Sequence, residues 1–212
     1  MNGFLRCLLA ATCLNLPLKA AITLNQLDDF SGIHDWTSGD PNPNPPVIRT
    51  DAGPLGSGDS ALRVSSNGST GPGGRLIVFN ETLWTGNYTA AGIQSLAVDL
   101  RNLGNNTLSM RVAVNGAGGW FVTPATPVTA FSGWTSQVFD LHPSALVSAG
   151  GANATLTLAA VSELRILHSA TADYRGARVS SEFMVDNIRA IPEPSTMLVC
   201  GLALFAGFFR KR

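Results

Sequence analysis

The chain has 212 residues, and 14 Lys and Arg balance 14 Asp and Glu, for a formal net charge of +0. Its three cysteines, Cys7, Cys13 and Cys200, lie near the ends, so the stretch from Ala21 to Ile191 has neither a disulfide nor a thiolate metal site. That stretch carries nine arginines, no lysine and thirteen acids, a net −4 by subtraction, which counts against nucleic acid as a partner.

The chain opens with Arg6, then the apolar run Cys7-Leu8-Leu9-Ala10-Ala11-Thr12-Cys13-Leu14, then Ala20-Ala21. This order predicts a signal peptide over 1–20, cut by signal peptidase. Cys13 offers a lipoprotein alternative, but Thr12 directly before it suits a lipid-attachment site poorly. Residues 21–191 are long enough for one domain with a substantial core.

Loops then punctuate short segments. Asp40-Pro41-Asn42-Pro43-Asn44-Pro45-Pro46 cannot continue a strand. Leu62 and Val64 begin a period-two pattern, and Leu76 and Val78 continue it after the loop Asn67 to Gly74. Leu96, Val98 and Leu100 alternate with Ala97, Asp99 and Arg101, and Leu108, Met110, Val112 and Val114 alternate with Ser109, Arg111, Ala113 and Asn115. Trp134 to Leu141, Glu163 to His168 and Glu182 to Ile188 complete the predicted strands. Pro143 to Ala149 is the one helix-like piece, with Pro143 suited to a first turn. Many short strands with Gly, Pro and Asn turns predict an all-β, antiparallel sandwich or barrel.

The last 21 residues differ in kind. Pro192-Glu193-Pro194 precede an uncharged run from Ser195 to Phe209, which ends at Arg210-Lys211-Arg212. The prolines separate a folded domain from this apolar run, and the basic end would stay on the cytoplasmic side. Fifteen residues of helix span roughly 22 Å, short of the ~30 Å hydrocarbon core, so a permanent anchor is the weaker alternative. The segment 192–212 resembles the PEP-CTERM sorting tail of Gram-negative bacteria that make extracellular polysaccharide. The resemblance implies recognition at or near Pro192, Glu193 and Pro194 by exosortase, a membrane protease-transpeptidase, after transient residence of a transmembrane helix in the inner membrane. The same tail is also called an ice-binding protein C-terminal region, which implies nothing about ice.

Two further segments carry a second resemblance. Leu27-Asp28-Asp29-Phe30-Ser31-Gly32, with Trp36 a few residues on, is similar to the opening strand of galactose-binding-like carbohydrate-binding modules. Phe183-Met184-Val185-Asp186-Asn187-Ile188 is similar to their closing strand. The resemblance implies a jelly roll over residues 21–191. Trp84 to Ile93, Val98 to Asn102 and Leu164 to His168 resemble exported PEP-CTERM proteins.

Sugars stack their C–H faces on aromatic rings, which singles out Trp36, Trp84, Tyr88, Trp120 and Trp134. In a sandwich most aromatics are core, and we expect this of Trp36 and Trp134. Trp120, after Gly118-Gly119, and Tyr88, in a turn-like stretch, are the open cases. Asp99, Arg101, Arg111 and Asn115 fall on the polar faces of neighbouring strands. We expect them to share the outer face of one sheet with Tyr88 and Trp120 as a glycan site. Asp28, Asp29 and Asp186 are brought together if the first and last strands pair. The resembling modules often hold one structural calcium there, with Asp51 and Asp59 able to add ligands; capping and turn bonding by these acids is the alternative. His34, His142 and His168 are too scattered for a zinc motif.

No G-x-S-x-G elbow occurs, and no spacing marks the carboxylate pair a glycosidase needs. The sequence therefore predicts an exported, non-catalytic jelly roll that contacts exopolysaccharide at the cell surface or in the extracellular matrix. A purely structural matrix protein is the main alternative, and a polysaccharide-cleaving enzyme the lesser one.

Overall fold

The computed structural model describes residues 21–32 and 34–192. The predicted signal peptide and the tail from Glu193 onward, with Pro194, Arg210, Lys211 and Arg212, lie outside the described residues. Among those described, no helix is long and apolar enough to cross a membrane.

Numbered in chain order, the strands form two antiparallel sheets. The first runs β2 (Val47–Arg49), β3 (Ala61–Asn67), β12 (Ser180–Ile191), β5 (Ser95–Asn102), β9 (Thr135–Asp140), with β1 (Leu27–Asp28) also on β12. The second runs β10 (Val147–Ser148), β7 (Phe121–Val122), β6 (Leu108–Gly116), β11 (Val161–His168), β4 (Ile77–Asn80), with β8 (Thr126–Val128) on β6. The expected all-β sandwich is what the chain builds. The first and last strands pair as expected, with Leu27 opposite Arg189 and Asp28 opposite Ile188.

The core lies between the sheets. Leu62, Val64, Leu96, Val98, Leu100, Phe183 and Val185 meet Val78, Leu108, Met110, Val112, Val114, Leu164 and Ile166 in one buried cluster. These are the inward positions of the period-two patterns. Trp36 and Trp84 join the cluster with ring centroids 6.2 Å apart. Trp36 is core as expected; Trp134 is only half-buried.

Two local expectations are corrected. Pro143 to Ala149 is a turn running into β10 rather than a helix. The helix of the domain is α1 (Ala154–Ala159), where Asn153 caps the first turn by accepting from the Leu156 N–H at 3.1 Å. The second correction concerns β5 and β6. They are joined by a short connection yet belong to different sheets. Asn102 makes that crossing possible. Fully buried, it donates from Nδ2 to the carbonyls of Asn106 (2.8 Å) and Val128 (3.0 Å), and its Oδ1 accepts from the Gly104 N–H (2.9 Å). The amide thus satisfies carbonyls of the connection and of the end of β8, and ties the two together.

Candidate functional site

The crossing between β5 and β6 divides the expected glycan site. Asp99 and Arg101 lie on the outer face of the first sheet, while Arg111 and Asn115 lie on β6 of the second. Period two fixes which face of a strand points inward but not which sheet the strand joins, and so the four do not meet. Asp99 is engaged by Ser136 and by the Asn187 amide at 2.9 Å.

Two expected ligands turn out to be structural. Tyr88 is fully buried in the core, and its hydroxyl donates to the Trp84 carbonyl at 3.0 Å. Burial pushes its phenol pKa upward. Arg111 is 8% exposed. Its guanidinium donates to the carbonyls of Thr123 (2.6 Å), Ser169 (2.9 Å) and Ala170 (3.3 Å). It clamps two loops at the edge of the second sheet and has no fork left for a sugar. Burial lowers its pKa.

Trp120 lies beside the outer face of the second sheet, away from Asp99 and Arg101. There Ile77, Ala113, Val122 and Leu167 form a second small apolar cluster, and Trp120, Ala149 and Tyr174 pack over it. Trp120 and Tyr174 stack with ring centroids 4.4 Å apart and planes 8° from parallel. The Arg165 guanidinium lies 4.2 Å from the Trp120 ring and 5.5 Å from the Tyr174 ring. β11 places it there: Arg165 stands opposite Ala113 on β6 and Phe79 on β4. It is oriented by Glu163 at 2.6 Å and by the Tyr174 carbonyl at 3.1 Å. Asn115 lies two positions along, opposite Glu163. Gly118 allows the approach of this loop, since a Cβ there would meet the Asn153 carbonyl oxygen at 1.9 Å.

Sequence reasoning missed Tyr174, Arg165, Arg75 and Arg175. A usable signal was present for two of them. Arg165 breaks the apolar run Leu164-Ile166-Leu167 of its strand, and Asp173-Tyr174-Arg175-Gly176 puts an aromatic ring in a charged turn.

Of the three aspartates expected to share calcium, Asp28 bonds apart from the others, while Asp29 lies near enough to Asp186 to repel it. Asp28 turns toward the core, where its Oδ2 accepts from Trp36 Nε1 at 2.7 Å. Asp29, just past β1, accepts from the Ser31 N–H and hydroxyl at 3.1 and 2.6 Å. Asp186 is fully buried and accepts from the Asn187 N–H at 2.7 Å, at a bulge where Asn187 has φ of 48°. Burial pushes the Asp186 carboxyl up to about 7, with repulsion from Asp59, Asp99 and Asp29 adding to it. Asp51 and Asp59 bond their own loop, at the N–H of Gly58 (2.6 Å) and Leu55 (2.7 Å). Among the described residues no group of three or more His, Cys, Asp or Glu side chains meets the geometry of a metal site.

Comparison with known proteins agrees with this architecture. The family described as PEP-CTERM protein-sorting motif matches residues 190–212, starting on the last residues of β12. No curated protein matches the chain. Among solved structures, an exo-β-agarase aligns with a TM-score of 0.58 at 13% identity, over 82% of this chain and 26% of that one. The chain thus spans about a quarter of the agarase. The family 11 carbohydrate-binding module from Clostridium thermocellum, in complex with a β-1,3-1,4-mixed-linked tetrasaccharide, aligns with a TM-score of 0.52 at 18% identity, over 81% and 98% of the two chains. A solution structure of the module CtCBM11 aligns at 0.54 and 16% identity, again over 81% and 98%. At these identities the likeness is one of fold. The chain therefore carries a PEP-CTERM sorting motif, the mark of an exported protein, behind a jelly-roll domain with the fold of carbohydrate-binding modules.

Proposed function

We propose that this exported protein is a non-catalytic carbohydrate-binding domain, handed by exosortase to the cell surface or extracellular matrix, where it holds exopolysaccharide. The Trp120–Tyr174 ring pair with Arg165 beside it carries this proposal. In the stacked pair each ring covers one face of the other, and an outer ring face is left for sugar C–H groups, with a guanidinium beside it to donate to sugar oxygens. Glu163 and Glu182 are tied to Arg165 and Arg63, which supports a site without a free carboxylate pair.

A glycan array probed with the full chain in mild detergent tests the proposal, with Trp120→Ala beside it. An aromatic hot spot is worth at least ~2 kcal/mol, so retention per folded molecule should fall ~30-fold. Parent protein that binds no glycan, or a Trp120→Ala protein that binds as well as the parent, would overturn it.

A further inference from the structure

Next to the ring pair, Arg75, Arg165 and Arg175 line a groove of about 280 Å³ together with Phe79, Ser38 and the Gly71–Gly74 loop. The arginines come from separate parts of the chain, and the fold concentrates them. Arg75 also faces Arg178 directly across an antiparallel bridge. Like charges placed opposite each other weaken such a pairing. Four of the domain's nine arginines thus lie in the segments 70–79 and 163–178, with only two of its thirteen acids, Glu163 and Asp173. The rest of the domain is correspondingly acidic.

The guanidiniums are held in place without being neutralised. Arg75 donates to the Gly176 carbonyl, and Arg178 donates to the Thr70 carbonyl at 3.1 Å. Arg175 lies over the Tyr174 ring at 5.2 Å and donates to its hydroxyl at 3.3 Å. Among the described residues the ion pairs are Arg63–Glu182 and Arg165–Glu163, so Arg75, Arg175 and Arg178 have no carboxylate partner there. The Phe79 ring lines the same groove, half-buried and 5.3 Å from the Arg165 guanidinium.

We infer that this groove selects an acidic polysaccharide, seating a uronate residue with its ring on Phe79 and its carboxylate on the Arg75 and Arg175 guanidiniums. The inference rests on the carbohydrate-binding proposal and adds the class of sugar. A planar guanidinium matches a carboxylate through two parallel N–H···O bonds, and charge-assisted bonds of this kind are about twice as strong as neutral ones. A neutral glucan would leave the arginines unpaired.

Affinity electrophoresis of the full chain in mild detergent tests this, with gels containing polygalacturonate, κ-carrageenan or neutral mixed-linked β-glucan. Two variants run beside the parent: Arg175→Gln, on an exposed side chain, and Arg75→Gln with Arg175→Gln. Melting curves confirm that each is folded. The expected result is retardation by polygalacturonate that weakens about ten-fold in Arg175→Gln and further in the double variant, with weaker retardation by the other gels. Equal retardation of parent and folded Arg175→Gln in polygalacturonate would overturn the inference. Stronger retardation by β-glucan would overturn it while leaving the carbohydrate-binding proposal standing. Carrageenan retarding as strongly as polygalacturonate, with the same loss in the variants, would replace uronate by sulfate and overturn the carboxylate assignment. No retardation in any gel would remove both.

Discussion

Arg111→Met should damage the fold rather than glycan binding. The arginine donates to three carbonyls, and two of their residues, Thr123 and Ser169, are buried at 1% and 4% exposure. Ala170 is exposed, and its carbonyl can turn to water. A buried carbonyl left without a donor costs ~1–3 kcal/mol, so the two together cost about 2–6 kcal/mol. Removing a guanidinium that burial disfavours returns part of this. A net loss of about 3 kcal/mol is expected, which in a domain of this size lowers Tm by roughly 6–12 °C. Scanning calorimetry measures the shift, and the glycan array measures binding per folded molecule. Arg111→Lys should fall between, because one ammonium cannot reach three carbonyls in the plane of a guanidinium. A variant that melts with the parent but loses glycan retention would return Arg111 to the binding site and refute the clamp.

Asp186 should make stability depend on pH. A carboxyl raised in the folded state contributes stability fully below the unfolded value near 3.8 and loses it as pH rises through about 7. In chelator, the melting temperature of Asp186→Asn should therefore gain on that of the parent between pH 4 and 8; parallel curves would show that the burial is not felt. For sorting, replacing Pro192, Glu193 and Pro194 with alanine should hold the protein uncleaved in the membrane fraction, and equal release of variant and parent into the medium would remove the exosortase step.

Much of this protein is readable along the chain because the physics behind it is local. The proline-bounded, apolar and basic order of the C-terminal end is an address in itself, and it matches a sorting motif. Alternation tells which side chains of β5 and β6 point inward, since successive residues of a strand face opposite sides. Asn153 reads along the chain as one more polar loop residue although it starts the helix, because a cap is recognised only once the turn it closes exists.

The site required the folded chain. Whether Asp99 and Arg111 share a sheet depends on how the chain crosses at Asn102, and that depends on carbonyls as distant as Val128. Arg111 alternates like a surface residue, yet loops at Thr123 and Ser169 close over it. Tyr88 lies in a turn-like stretch, and the end of the sandwich buries it. Trp120 gains its stacking partner from Tyr174, 54 positions later, and its cation from Arg165. Periodicity assigns a side chain to a face of its own strand, while burial, pairing and charge concentration arise from segments that meet only when the two sheets pack.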